Sequence, residues 1–250
     1  MGNKYGDIRW KWLAERGFNV LADKHQYAYA QSLFASPDVV TGVFCDAKAG
    51  TGKTTIATLI GAYEVERGNY DRIIYVRNAV PVRDMGFLPG GIGEKELPYM
   101  LPFIEALDHV QPGLFEKWSC QQEDEKNKTK EFPKVQIATS SYARGITWDN
   151  AFIIIDEFQS FDLNEAQTVL TRPTDNCKVV VIGSTRQNDN PKNKINGMTP
   201  FEIYMRHFQG YPVAFHKLET NYRGWLSTRA DEIHETIEKL KSEEISWKVI

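Results

Sequence analysis

Apolar residues along this chain fall in short unbroken runs rather than in strict alternation with polar ones. Six runs read as strands: Val39–Cys45, Arg72–Val76, Val135–Ala138, Ala151–Ile155, Lys178–Gly183 and Val213–Leu218. They are rich in β-branched residues and continuous, the pattern of buried parallel strands covered on both faces. The stretches between them carry helical signals. Lys53–Arg67 stops at Gly68, a residue suited to a left-handed C-terminal cap. Asp162–Thr171 opens on Asp162 with Glu165 three residues on, a variant of the capping box. Ser227–Lys241 sets Ile233, Ile237 and Leu240 on one stripe, with Glu235 and Lys239 paired at the surface. Strands alternating with helices predict an α/β doubly wound fold with a mostly parallel sheet. Gln111–Lys134 breaks the rhythm: its five acids and five lysines show little apolar periodicity, so a solvated insertion is expected there.

At 250 residues, one domain over 1–250 is expected, with a core large enough to need no disulfide or metal staple. The net charge of −3 excludes a dominant basic surface, so any nucleic-acid contact must be a local patch. Cys45, Cys120 and Cys177 are too scattered for a disulfide framework or a zinc site. Cys45 and Cys177 read as small core residues, which suggests a reducing compartment. Charges at Asp7, Arg9, Lys11, Glu15 and Arg16 leave no apolar signal core, and no stretch reaches the length of a membrane span. No membrane partner and a cytoplasmic location are expected.

The chemistry concentrates after the first strand. Ala49-Gly50-Thr51-Gly52-Lys53-Thr54 follows an apolar run and opens the helical stretch that begins Thr55-Ile56. Strand, Gly-rich turn and helix, in that order, form the context of a phosphate-binding P-loop. Glycines let successive N–H groups turn inward onto a phosphate, and the helix N-terminus adds partial positive charge. Lys53 then reaches the β- and γ-phosphates of a nucleotide, and the Thr54 hydroxyl holds Mg²⁺. Ala47 stands where the usual G-x-x-x-x-G-K-[ST] spelling has its first glycine, which is tolerable if its φ stays negative.

The run Phe152–Ile155 ends in Asp156-Glu157. Coupled to a P-loop, such a strand end supplies an Asp for the metal and a Glu to orient and deprotonate the attacking water. Both belong at the carboxyl end of the sheet, where ligands bind in open α/β folds. Gln159 follows two residues later. The run Val179–Ile182 leads to Gly183-Ser184-Thr185-Arg186-Gln187, which can aim Gln187 at the γ-phosphate and link its presence to movement.

These blocks resemble the PhoH-like family, related to the first motor domain of superfamily 1 helicases. The resemblance spans about Lys24 to Arg223. It is carried by Ala47–Thr54, by Val76–Gly90 with its Gly86-Phe87-Leu88-Pro89-Gly90, by Glu94-Lys95 with Pro98-Tyr99 and Pro102, and by Ile153–Gln159. Leu170-Thr171-Arg172, Gly183 with Gln187–Pro191, and Lys217–Arg223 complete it. The form with Val80-Pro81-Val82-Arg83-Asp84 is similar to bacteriophage-encoded members, for which the compartment is the host cytoplasm. Ala47, Asn78 and Ser184 depart from the family pattern, and Ser184 removes one acid near the metal.

The resemblance implies a three-layer αβα P-loop NTPase of the RecA-like type that hydrolyses ATP with Mg²⁺, coupled to binding or remodelling of single-stranded RNA or DNA. It also implies an adenine contact from Gln26, just before the first strand. In superfamily 1 helicases a second motor domain supplies arginines. None is expected to fit after Arg223, so these contacts come from a neighbouring subunit or are absent, with Arg223 the first candidate and Arg172 the second. That makes a homo-oligomer the expectation, with a hexamer the expected ring. Two other readings are weighed: an ATP-dependent assembly module with little hydrolysis, and a P-loop kinase, which the acid pair with a downstream Gln disfavours.

Overall fold

The computed structural model describes residues 8–78, 92–120, 122–123, 130–131, 133–140, 143–186 and 194–247. Its centre is a six-stranded sheet built from β1 (Gly42–Ala47), β2 (Arg72–Arg77), β5 (Val135–Thr139), β6 (Ala151–Asp156), β7 (Lys178–Gly183) and β8 (Val213–Leu218). The spatial order is β5-β2-β6-β7-β1-β8, and every pairing is parallel. Two-residue strands β3 (Gln122–Glu123) and β4 (Lys130–Glu131) pair antiparallel apart from it.

Helices α1 (Ile8–Glu15), α2 (Lys24–Phe34), α3 (Lys53–Glu66), α4 (Ile92–Val110) and α5 (Leu114–Ser119) cover one face of the sheet. Helices α6 (Leu163–Leu170) and α7 (Pro200–His207) cover the other. Successive strand residues feed opposite cores. Phe152 and Ile154 join the core under α3 and α4, while Ile153 and Ile155 join Phe158, Ala166 and Phe201 on the far side. This is why the strands read as continuous apolar runs. The α/β architecture expected from the sequence is the one observed.

Local signals account for several boundaries. α6 carries the full capping box, with Asp162 accepting from Glu165 N and the Glu165 side chain closing back. α3 ends at Glu66, with Arg67 as its C-cap and Gly68, whose φ is +74°, just beyond. Other expectations shift. β1 begins at Gly42, not Val39, because Val39 and Val40 close a turn on the Ser36 carbonyl. β8 is an edge strand, so it is not the fully buried run expected, and Phe215 is 40% exposed. Part of the charged insertion is helical: α5 is anchored by buried Leu114 and Trp118. The C-terminal helix is two, α8 (Trp225–Asp231) and α9 (Ile233–Trp247), and its stripe of Ile233, Ile237 and Leu240 faces solvent.

Candidate active site

The parallel order brings the carboxyl ends of β1, β7, β6 and β2 to one edge of the sheet. One strand, β7, separates the strand that enters the Gly-rich loop from the strand that ends in Asp156. Ala47 closes β1 without a positive φ, so the missing glycine costs the loop nothing in backbone strain. Gly50 and Gly52 take φ of +72° and +80°, and Gly52 caps α3. A Cβ on Gly50 would lie 2.5 Å from Asn221 Oδ1 at a φ that side chains rarely adopt, so any other residue there strains the loop. Thr51 Oγ1 donates to Lys48 O at 3.1 Å and tightens the loop. Lys53 Nζ lies 3.4 Å from Ala47 O, folded back over the loop.

Thr54 sits in the first turn of α3, and its Oγ1 donates to Asp156 Oδ2 at 2.9 Å. Two more donors hold that carboxylate: Tyr75 Oη on Oδ2 at 2.8 Å and Glu157 N on Oδ1 at 2.9 Å. Burial, and then the neighbouring Asp156 charge, push the Tyr75 phenol well above its ordinary pKa and keep it a donor. Glu157 takes a left-handed backbone, φ +52°, immediately after β6. The Glu157 carboxylate accepts from Gln159 Nε2 at 2.6 Å, and Gln159 Oε1 accepts from Ser184 N at 3.1 Å. On the neighbouring strand Asp46 accepts from both Thr185 N and Thr185 Oγ1 at 2.9 Å.

A cleft of about 850 Å³ opens over these groups. Its wall includes every expected nucleotide contact: Gln26, Ala49, Gly50, Thr51, Gly52, Lys53, Thr54 and Thr55. Asp156, Glu157 and Arg223 line it too. Gln26 Nε2 donates to Thr51 O at 3.0 Å, tying α2 to the loop. Asp23 caps α2 through His25 N and Gln26 N, and also accepts from Tyr222 Oη at 2.7 Å.

The two arginines expected to serve a neighbouring subunit take different places in this chain. Arg223 reaches the cleft of its own chain. β8 lies beside β1, and the segment after it crosses the loop, with Tyr222 N on Gly50 O at 2.9 Å. Arg172 is not brought to the cleft. It follows α6, with Nε on Thr168 O, and its carbonyl accepts from Trp148 N just before β6. It therefore lies at the amino-terminal edge of the sheet, about 20 Å of strand away from the site. Gln187 and the Gly86–Gly90 block lie outside the described residues.

Sequence reasoning passed over Tyr75, Asp46, Tyr222 and the bridging role of Gln159. A polar tip inside the apolar run Arg72–Val76 was the only signal for Tyr75.

A Gly-rich loop cradled between a parallel strand and a helix N-terminus, faced by a strand-end carboxylate on the next strand but one, makes this chain a P-loop NTPase by fold. Within that class, the model of the PhoH-like protein family matches residues 21–235, and the chain belongs to this family. It is 32% identical over 174 residues to the PhoH-like protein of Synechocystis, covering 69% of this chain and 49% of that relative. To protein PhoH of Escherichia coli K12 it is 34% identical over 158 residues, 63% of this chain and 42% of the relative. The chain thus spans about half the length of these curated relatives, or less. Among solved structures, the DUF1998 helicase MrfA bound to DNA aligns at TM-score 0.45 and 14% identity, over 88% of this chain and 30% of that one. A likeness at that score carries no functional argument.

Proposed function

We propose that this chain binds ATP with Mg²⁺ in the cleft and hydrolyses it to ADP and phosphate. The observation that carries the reading is the contact of Thr54 with Asp156 across the mouth of the Gly-rich loop. The donor set fits Mg²⁺. Both groups offer oxygen, the preference of a hard cation. Among the described residues no cluster of three His, Cys, Asp or Glu forms a protein cage. Mg²⁺ is commonly held by one or two protein oxygens together with substrate phosphates. When bound, it supplies charge neutralisation to the phosphate oxygens.

The chain's own groups do the rest. Loop N–H groups and the N-terminus of α3 receive phosphate oxygens. Lys53 turns from Ala47 O to the β- and γ-phosphates. Glu157 takes a proton from a water whose oxygen attacks the γ-phosphorus. The bond to the bridging oxygen then breaks, and ADP leaves. Arg223 meets the terminal phosphate from the same chain, Gln26 reads adenine, and Gln187 senses the γ-phosphate. Coupling to single-stranded RNA or DNA extends this reading, supported by the helicase-related motif blocks.

A second reading, an ATP-driven assembly module with little hydrolysis, is favoured by one feature. Trp225, 77% exposed, stands with Leu226, Ile233 and Leu240 as apolar surface on the last two helices. Such a surface suits a homo-oligomer, for which a hexamer is the arrangement to test. One experiment separates the readings: phosphate release from ATP with and without Mg²⁺, and with and without single-stranded RNA or DNA, alongside mass measurement. Mg²⁺-dependent release supports the ATPase. ATP-dependent growth in mass without release supports the assembly module.

A further inference from the structure

Asp156 is 2% exposed, and a buried carboxylate needs donors on its oxygens. Of its three donors, two belong to working parts. Thr54 Oγ1 is the atom that faces the proposed metal. Glu157 N belongs to the left-handed turn that aims the proposed base. Tyr75 is different. It comes from the neighbouring strand β2, sits opposite Ile154 in register, and so lies diagonal to Asp156 on the same face. Its ring stacks on Phe103 of α4, with centroids 4.5 Å apart and planes 12° from parallel. Both rings are fully buried. Packing alone asks for an apolar ring at this position, as the Ile and Val neighbours on β2 show. The hydroxyl is the part that packing does not explain, and it is spent on Asp156 Oδ2.

We propose that Tyr75 is a positioning residue for the metal site: its hydroxyl fixes the orientation of the Asp156 carboxylate, while its stacking on Phe103 serves the packing of α4 against the sheet. The inference rests on the reading of Thr54 and Asp156 as the Mg²⁺ pair. A donor on Oδ2 from inside the core keeps the carboxylate aimed even when the Thr54 oxygen turns to a cation. Partners of this kind, one step behind a metal ligand, typically contribute about 10–100-fold to metal affinity.

The test is the Mg²⁺ concentration that half-saturates binding of a fluorescent non-hydrolysable ATP analogue, measured in the wild type, Tyr75→Phe, Phe103→Leu and Asp156→Asn. Analogue affinity in EDTA and melting temperature are measured beside it. Tyr75→Phe keeps the ring and is expected to raise the Mg²⁺ midpoint about tenfold, with affinity in EDTA unchanged. Phe103→Leu is expected to lower the melting temperature and to move the midpoint far less. Should Tyr75→Phe not fold, Tyr75→Met carries the same expectation. The inference is overturned if Asp156→Asn shifts the midpoint and Tyr75→Phe does not. It is also overturned if Phe103→Leu shifts it as much as Tyr75→Phe, which makes the effect one of packing. If Asp156→Asn itself leaves the midpoint unchanged, the Mg²⁺ reading falls, and the role of Tyr75 falls with it.

Discussion

Gln159 holds Glu157 by a 2.6 Å hydrogen bond to its carboxylate while its other end receives Ser184 N. Gln159 is fully buried, so neither end of the amide has water to fall back on. The bridge joins the proposed base, just after β6, to Ser184, just after β7. Ser184, one of the departures from the family pattern, takes part through its backbone N–H, which any residue but proline would supply.

Replacing Gln159 by Ala is expected to slow phosphate release about ten- to a hundredfold, the range for losing a hydrogen bond to a charged group. ATP affinity should stay within about twofold, since no part of Gln159 lines the cleft. Glu157→Gln should go further and lose about 10²–10⁴-fold, because its amide cannot accept the proton. Steady-state phosphate release with calorimetric ATP titration checks both. A Gln159→Ala enzyme with full turnover would show that the base needs no such bridge.

Lys53→Ala is expected to weaken ATP binding by about 1.5–3 kcal/mol, the usual worth of a charge-assisted contact. The loop should keep its shape, because the Lys53 side chain contributes a long 3.4 Å contact to Ala47 O, and the bond from Tyr29 Oη goes to the Lys53 carbonyl, which the variant keeps. Calorimetry gives the affinity, and a melting curve without nucleotide should overlay the wild type. Wild-type affinity in this variant would remove Lys53 from the phosphate site.

Arg223 lines the same cleft as Lys53 of its own chain. Mixtures of Lys53→Ala and Arg223→Ala subunits should therefore recover no activity, because every site keeps one defective part. Recovery on mixing would require an arginine donated between subunits. That would mean the segment after β8 leaves Gly50 O on assembly. Phosphate release against the mixing ratio reads the answer directly.

The legibility of this chain was uneven for physical reasons. The central strands β2, β6 and β7 were readable because both faces are covered, so their middles are continuously apolar; the edge strand β8 carries His216 and Lys217 and is only partly buried. The Gly-rich loop and Asp156-Glu157 were readable because their chemistry is local: a turn, a helix start and a strand end. Strand order is not local. Nothing in the order of motifs says that β8 lies against β1, which is what brings Arg223 home, or that Arg172 falls on the far edge. Tyr75 and Gln159 act through registers between strands far apart in sequence, so their polar atoms had no local pattern to mark them. α4 holds Pro98 and Pro102, residues that sequence rules read as breaks. It forms nonetheless, packed along α3, with Phe103 and Leu107 buried.

The last prediction lies at the opposite edge of the sheet. Lys178 opens β7 with its side chain fully buried, and Nζ donates to the carbonyls of Ser32, at 3.2 Å, and Val40. Burial lowers its pKa to about 8, although the Glu64 carboxylate pulls the other way. The sign follows from linkage. Between about pH 8 and the unfolded value near 10.5, the unfolded chain keeps this proton and the folded chain has shed it. Stability then rises with pH. The buried Cys45 thiol, pushed upward by burial, acts in the opposite sense once an unfolded thiol ionises, near pH 9. The comparison therefore belongs between pH 7 and 9 and against Lys178→Met, which keeps Cys45 and removes the amine. Over that range the wild type should gain about 1 kcal/mol relative to Lys178→Met, one pKa unit being worth about 1.4 kcal/mol. Urea unfolding at several pH values measures it. A constant difference between the two proteins from pH 7 to 9 would mean that Lys178 stays charged in the fold, with its two carbonyl partners outweighing its burial.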